Sequence, residues 1–106
     1  IQSRKRWLAT TKKKGSVIVD DGAAAAVVSG GKSLLASGIT RVEGDFDAGE
    51  LIVITDASGS EIARGLVRYT AEDVTRIQGK RSDEISDLLG GGSVEAVIHR
   101  DDMVVL

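Results

Sequence analysis

A short apolar segment in the middle of the chain most strongly limits how the chain can fold. Leu51–Thr55 reads LIVIT, with Gly49 before it and a polar turn sequence, Asp56 to Gly59, after it. A run of β-branched residues between turn-forming residues is typical of a buried strand that enters a tight turn. Gly59 can adopt a positive φ, and Asp56 can accept hydrogen bonds from the turn backbone. The segment therefore predicts the first strand of a β-hairpin.

The return strand of this hairpin is predicted over residues 61–69, with Gly65 at its centre. Glycine weakens a strand, so in such a place it usually marks a bulge or the close approach of another backbone. Arg64 and Arg68 share one face by the two-residue period of a strand, together with two aliphatic residues. These arginines could contact a nucleic acid, a neighbouring domain or only solvent.

The rest of the chain predicts short helices and further strands around the hairpin. Asp20, Thr70 and Ser82 each precede a helical pattern as N-cap candidates. Phe46 is predicted to lie in the core, and Ile85, Leu88 and Leu89 are predicted to face it. The additional strands are predicted over residues 16–20, 32–42, 94–98 and 103–106, and the helices over 23–28, 70–78 and 82–89. This order predicts a mixed α+β fold, mainly β, in which a small, partly closed barrel carries helices at its edges.

Charge divides the chain into two parts. Residues 1–14 carry six basic and no acidic side chains, whereas residues 15–106 carry eight basic and sixteen acidic side chains, a balance of −8. We interpret residues 1–14, with Trp7 as their main apolar anchor, as a basic inter-domain linker or arm and residues 15–106 as one folded domain. A basic arm could alternatively bind nucleic acid. Because the chain begins with Ile1 rather than Met, we expect it to be part of a longer polypeptide.

Several function classes find no support in the sequence. The chain has no cysteine, and His99 is its single histidine, so a zinc site or a catalytic triad lacks the necessary side chains. His99 is predicted to form a hydrogen bond within the loop before the last strand. No apolar run is long enough to predict a membrane span, and the lack of cysteine fits a reducing cytoplasm. We therefore predict no catalytic residue and no metal site.

One glycine-containing loop superficially matches a phosphate-binding motif. Gly31, Lys32 and Ser33 match the end of the P-loop pattern, but Ala26 occupies the position of its first glycine. A helix is also predicted before the loop, where a P-loop requires a strand. The P-loop interpretation is rejected, and two interpretations remain. The loop ends a helix through its glycines, or its lysine contacts a phosphate.

Several separated motifs resemble the PUA domain, and in particular the PUA domain at the C terminus of bacterial glutamate 5-kinases. In chain order they are residues 4–8, 30–35 with 38–39, 44–46, the turn at Gly49, 61–69 and 97–101. The resemblance covers essentially the whole chain and implies a PUA-like pseudo-barrel of five to six strands with short flanking helices. Lys14 and Ala36 stand where that family usually has proline, and Gly91 stands where an aromatic residue is common.

The resemblance implies a parent enzyme that uses ATP and magnesium to phosphorylate the side-chain carboxylate of L-glutamate, the first step of proline biosynthesis. Its catalytic residues would lie in an amino-acid-kinase domain outside this chain, so none is carried over and the fragment itself would hold no cofactor. The domain would then regulate or assemble the kinase, through contacts with the amino-acid-kinase domain or with neighbouring subunits of a homo-oligomer.

Binding of RNA is the alternative that the resemblance implies. PUA domains elsewhere bind RNA through the first helix, the loop after it and nearby strands. The acidic balance of residues 15–106 argues against strong phosphate affinity. The residues predicted for RNA contact are Gly30, Gly31, Lys32, Arg41, Arg64 and Arg68.

Overall fold

The computed structural model describes residues 13–88 and 96–106. The strands are β1 (Gly15–Val19), β2 (Ile39–Gly44), β3 (Leu51–Thr55), β4 (Glu61–Leu66) and β5 (Met103–Val105). The helices are α1 (Asp21–Val28), α2 (Ala71–Ile77) and α3 (Ser82–Leu88), and 3-10 turns lie at Ala36–Gly38 and Arg100–Asp102. The strands form one sheet in the order β2-β1-β3-β4-β5. The predicted mixed, mainly β class is confirmed.

The predicted hairpin occupies the centre of this sheet. β3 pairs antiparallel with β4 and parallel with β1, so neighbours cover both of its edges. Ile52, Val53 and Ile54 are fully buried, as expected for a continuous apolar strand that is covered on both faces. In the turn, Asp56 Oδ1 accepts hydrogen bonds from the Ser58 hydroxyl at 2.6 Å and from backbone N–H groups. Gly59 has a φ of +93°, which confirms its predicted role.

Two of the three predicted helix caps are correct. Asp20 Oδ1 accepts a hydrogen bond from Ala23 N at 2.8 Å, and Thr70 Oγ1 accepts one from Asp73 N at 3.1 Å. Ser82 is instead the first residue of α3, so the prediction that it caps this helix is wrong by one position. Helix starts predicted from sequence commonly differ by one or two residues.

The predicted strands on either side of the sheet are longer than the observed ones. Within residues 32–38, the chain forms a single antiparallel bridge, between Leu34 and Ile98, and then a 3-10 turn. β2 begins only at Ile39, because Gly38 is buried where a Cβ would overlap Ala23 of α1. β4 ends at Leu66 rather than at residue 69. Of the predicted strand 94–98, only residues 96–98 are described, and they contribute the other side of the bridge.

The core is aliphatic and surrounds one aromatic ring. Phe46 is 1% exposed, which confirms its predicted position, and Ile85 is also buried. Leu88 is 39% exposed, so the prediction that it faces the core is wrong. The predictions for Trp7 and Leu89 lie outside the described residues. None of the helices within the described ranges has the length and apolar character that crossing a bilayer requires.

Candidate functional site

The loop that follows α1 owes its shape to two glycines. Gly31 has a φ of +60°, which a right-handed helix cannot contain, so the helical conformation cannot continue through this residue. Glycine suits the position because other L residues avoid this conformation. Gly30 N donates to the Ala25 carbonyl at 3.2 Å, and Lys32 N donates to the Ala26 carbonyl at 3.1 Å. These bonds satisfy carbonyl groups of the last helical turn. The glycines therefore act through the backbone, and the functional group that the loop presents is the exposed side chain of Lys32.

Hydrogen bonds fix this loop against the segment that precedes β5. Ser33 Oγ accepts from Arg100 N at 2.9 Å. Leu34 N donates to the Ile98 carbonyl at 2.9 Å, and Val97 N donates to the Leu34 carbonyl at 2.8 Å. These contacts bring Arg100 beside the Lys32 loop, although 67 residues separate Ser33 from Arg100. We did not predict Arg100 as a site residue, because neither periodicity nor composition marks it.

Two clefts lie side by side on this part of the surface. The first, the α1 cleft, has a volume of about 440 Å³ and is lined by α1 and by the Lys32 loop. The second, the α3 cleft, has a volume of about 200 Å³ and is lined by Lys80 and Ile85, among others. Leu35 and Ser37 line both clefts. Leu35 is 57% exposed and forms an apolar ridge between them. The first volume is within the range of small-ligand pockets.

The three predicted arginine contacts lie elsewhere, and none of them lines a cleft. Arg41 lies on the edge strand β2, three strand positions from Arg64 on β4. Each arginine lies close to a carboxylate: Arg41 to Glu43 at 3.7 Å, Arg64 to Glu61 at 3.5 Å and Arg68 to Asp102 at 3.4 Å. The structure thus brings Gly30, Gly31 and Lys32 together but does not join Arg41, Arg64 and Arg68 to them.

The basic side chains fall into two groups. Within residues 13–88 and 96–106, seven of the ten form an ion pair with a carboxylate: Lys13, Lys14, Arg41, Arg64, Arg68, Arg76 and Arg81. The other three, Lys32, Lys80 and Arg100, form none within these ranges. Lys32 and Lys80 each line a cleft, and Arg100 adjoins Ser33 of the α1 cleft. Among the described residues, basic side chains without an ion-pair partner therefore line both clefts, although the carboxylate of Asp20 also lines the α1 cleft.

The two lysines of the predicted arm that are described lie against the hairpin. Lys13 Nζ donates to Glu61 at 3.2 Å, and this ammonium group, helped by Arg64, lowers the pKa of Glu61 below its usual value. Lys14 N donates to the Leu51 carbonyl at 2.8 Å. Lys14 is therefore fixed to the start of β3 and Lys13 to the start of β4, and the charges of both lysines lie outside both clefts.

No catalytic arrangement emerges among the described residues. His99 Nδ1 accepts a hydrogen bond from Asp101 N at 3.1 Å, which confirms its predicted role within the loop before β5. Within the described ranges, no three His, Cys, Asp or Glu side chains are grouped as metal ligands would be. What the clefts present is the aliphatic side chain of Leu35 together with the basic side chains of Lys32 and Lys80.

Known proteins similar to this chain include members of one domain family and longer proteins of one kind. The sequence profile of the PUA domain matches residues 15–89. The glutamate 5-kinase of Thermosynechococcus vestitus is 48% identical over 106 residues, and that of Shewanella sediminis is 50% identical over 107 residues. These alignments cover 99% and 100% of this chain but 29% of each relative. The chain thus spans less than a third of the length of these relatives.

Solved structures with the same fold include archaeal proteins of low sequence identity. A PUA domain from Aeropyrum pernix K1, solved as a tartrate complex, has a TM-score of 0.63 and 24% identity and aligns with 81% of this chain and 41% of its own. The archaeal box H/ACA sRNP Nop10–Cbf5 complex contains a chain with a TM-score of 0.56 and 21% identity; the alignment covers 82% of this chain and 25% of that one. At such identities the likeness shows the fold alone. The profile match over residues 15–89 shows that this chain belongs to the PUA domain family.

Proposed function

We propose that this PUA domain is a non-catalytic regulatory or assembly module of a glutamate 5-kinase. The observation that carries the proposal is its similarity to glutamate 5-kinases over its full length, at 48% and 50% identity. The parent enzyme would transfer the γ-phosphate of ATP to L-glutamate with Mg²⁺, in the proline pathway of the cytoplasm. Because the chain spans only 29% of these relatives, we place the kinase active site in the remaining part. The partners of the domain would be that kinase domain and neighbouring subunits.

The distribution of charge supports a protein partner for most of the surface. Arg41, Arg64 and Arg68 each lie beside a carboxylate of the same domain, so a phosphate would have to compete with an existing ion pair. The −8 balance of residues 15–106 would also repel a polyanion at long range. A protein surface without a dense array of negative charge avoids the long-range repulsion.

Removal of the domain from the parent kinase tests this proposal. The parent chain would be compared with a version that ends before Lys14, for oligomer mass, for glutamate-dependent ADP release and for inhibition by proline. We expect the truncated enzyme to keep phosphoryl transfer and to change in oligomer mass or in proline sensitivity. Unchanged behaviour in both properties would contradict the proposal, and loss of phosphoryl transfer in a folded enzyme would contradict the non-catalytic role.

RNA binding remains a second candidate because of one observation at the clefts. Lys32, Lys80 and Arg100 form no ion pair within the described residues; Lys32 lines the α1 cleft, Lys80 lines the α3 cleft, and the backbone of Arg100 adjoins Ser33 of the α1 cleft. The Nop10–Cbf5 structure belongs to a box H/ACA sRNP, a ribonucleoprotein. A small RNA element that contacts these three cations would release about three counterions. For single strands the slope of log K against log salt would then be about −2.

Fluorescence anisotropy of labelled single-stranded and structured RNAs tests this candidate across salt concentrations. We expect a cleft-bound RNA to be weakened by Lys32→Glu and unaffected by the control Arg41→Glu, which changes the same charge outside the clefts. A shortened chain without residues 1–12 separates the basic arm from the folded domain. Binding that disappears with the arm, or that both substitutions weaken equally, would indicate nonspecific attraction of charge.

A further inference from the structure

We infer that the open edge of β2 pairs with β2 of a second copy of this chain. The two strands run antiparallel about a two-fold axis at Val42, so that Arg41 of each copy lies opposite Glu43 of the other. The inference rests on the proposed assembly role and identifies the partner as another subunit. We call the outer side of β2, away from β1, the β2 edge.

The β2 edge has no neighbouring strand in the described structure. In the sheet order β2-β1-β3-β4-β5, β2 pairs with β1 alone. Within residues 13–88 and 96–106, residues 40–44 form no backbone hydrogen bond with any other element. An edge strand directs unpaired N–H and C=O groups outward, where a further strand can bind them. The one irregularity in the β1–β2 register lies between Ile39 and Arg41, so residues 41–43 form a regular segment for such pairing.

The β2 edge carries charges of opposite sign next to each other. Arg41 and Glu43 are two residues apart, so they project from the same face of the strand. Arg41 Nε lies 3.7 Å from Glu43 Oε1, and 73% and 52% of the two side chains are exposed. An ion pair so exposed contributes little to the stability of a single copy. Val42, between them, projects to the other face and packs against the core.

The order of these charges favours one register of two antiparallel copies. With the two-fold axis at Val42, residue 41 of each copy lies opposite residue 43 of the other. Two Arg–Glu pairs then form, and each charge gains a second neighbour of opposite sign. An axis at Arg41 would place two arginines opposite each other, and an axis at Glu43 would place two glutamates so. Unlike charges directly opposite on paired strands are stabilising and like charges are destabilising, so β2 specifies its own register.

Other features of β2 agree with pairing to a protein strand. Edges that are protected against pairing commonly carry lysine or proline, and β2, with the sequence ITRVEG, has neither. RNA fits this edge less well, because Glu43 would repel phosphates. In addition, β2 has no aromatic side chain on which a base could stack.

Exchange of the two charges tests the interface by sedimentation equilibrium of the 106-residue chain. Arg41→Glu places carboxylates opposite each other on both sides of the axis, and Glu43→Arg places guanidinium groups so. We expect the dimer dissociation constant to rise about tenfold in each variant. Unlike pairs return in two cases: in an equimolar mixture of these variants, and in the double variant Arg41→Glu with Glu43→Arg. We expect both to recover the dimer.

A single thiol measures the register directly, because the chain has no cysteine. In Val42→Cys, the thiol lies opposite the same position of the other copy. Directly paired residues of antiparallel strands have Cα atoms about 4.5–5.5 Å apart, a separation that a disulfide can bridge. We therefore expect mild oxidation to yield a covalent dimer. Thr40→Cys is the control, because residue 40 lies opposite residue 44 and should not cross-link.

A matched ion pair outside β2 controls for general effects of charge. Arg81 Nε lies 3.7 Å from Glu84 Oε1, and 79% and 49% of these side chains are exposed. Arg81→Glu therefore makes the same change of charge in a similar environment, and we expect it to leave the dimer unchanged. Circular dichroism checks the fold of every variant.

Several results would overturn the inference. They are an unmodified chain that stays monomeric at every concentration, single charge variants that leave its mass unchanged, and a double variant that dissociates as readily as the single ones. Equal weakening by Arg81→Glu would also overturn it. If the inference fails in this way while truncation of the parent kinase alters its assembly, the proposed function stands. If truncation also has no effect, both fail.

Discussion

Gly65 of β4 lies directly against the side chain of Ile98. A Cβ built on Gly65 would lie 2.5 Å from Ile98 Cγ2 and 2.8 Å from the carbonyl oxygen of Asp102. Real Cβ atoms do not approach other heavy atoms so closely, so only glycine fits without movement of the backbone. This contact lets the segment 98–102 pack closely against β4, and it confirms the prediction of a close backbone approach at Gly65. The same segment carries Arg100 to the Lys32 loop.

Replacement of Gly65 by alanine should destabilise the domain. The added methyl group would force a carbonyl of the backbone to move, and overpacking of this kind costs about 1–3 kcal/mol. Urea denaturation should show a lower midpoint with an unchanged slope. Gly22→Ala is the matched control, because a Cβ there meets only Asp20 Oδ1, at 3.5 Å. Equal losses in the two variants would argue against the close contact at Ile98.

Removal of the α1 cap should weaken the wall of the α1 cleft. Asp20→Ala deletes the acceptor for Ala23 N, and loss of such a cap costs about 1 kcal/mol. Asp20→Asn keeps an oxygen in this position and should retain most of the stability. Thermal unfolding followed by circular dichroism measures the difference. An Asn variant as unstable as the Ala variant would show that the negative charge, rather than the hydrogen bond, stabilises this end of the helix.

The hairpin turn should lose stability in acid. The Ser58 hydroxyl, and then the Ser60 N–H, hold the pKa of Asp56 below its ordinary value of 3.8. Because the pKa is lower in the folded state, this contribution is fully present above pH 3.8 and is lost as the pH falls through the folded-state pKa. Unfolding measured across this window should depend less on pH in Asp56→Asn than in the unmodified chain. Asp45→Asn, at an exposed aspartate outside the turn, controls for the lost charge. If the pH dependence of unfolding decreased equally in Asp45→Asn, the prediction would be contradicted.

Loss of the Ser33 hydroxyl should loosen the Lys32 loop. Ser33→Ala leaves Arg100 N without its acceptor, and loss of a hydrogen bond of this kind costs about 1 kcal/mol. Amide hydrogen exchange at Arg100, observed by NMR, should become faster. Ser37→Ala changes another hydroxyl that lines the same cleft and should leave this exchange rate unchanged. Equal acceleration in both variants would mean that the effect is a general loss of stability.

Local patterns in the sequence predicted the features that depend on neighbouring residues. LIVIT predicted β3 because a continuous β-branched run between turns suits a strand covered on both faces. Asp56 with Gly59 predicted the turn, and Asp20 and Thr70 predicted helix starts, because the bonds involved span only a few residues. The strand predicted over 32–42 was wrong over its first part, because the conformation there depends on a residue that is distant in the sequence. Its composition favours a strand, but Gly38 must turn beneath α1, and Ala23 lies elsewhere in the sequence.

The sequence by itself therefore determined the fold class, the central hairpin and the Lys32 loop, because backbone preferences and the periodicity of apolar residues act over short distances. Only the tertiary structure decided which cations are neutralised. Arg68 meets Asp102 and Lys13 meets Glu61 across 34 and 48 residues of sequence, whereas Lys32 meets no acid among the described residues. Charge pairing depends on distances in space that no local pattern encodes. For that reason the arginines predicted as contacts lie in ion pairs, while Lys32 in the α1 cleft has no ion-pair partner among the described residues.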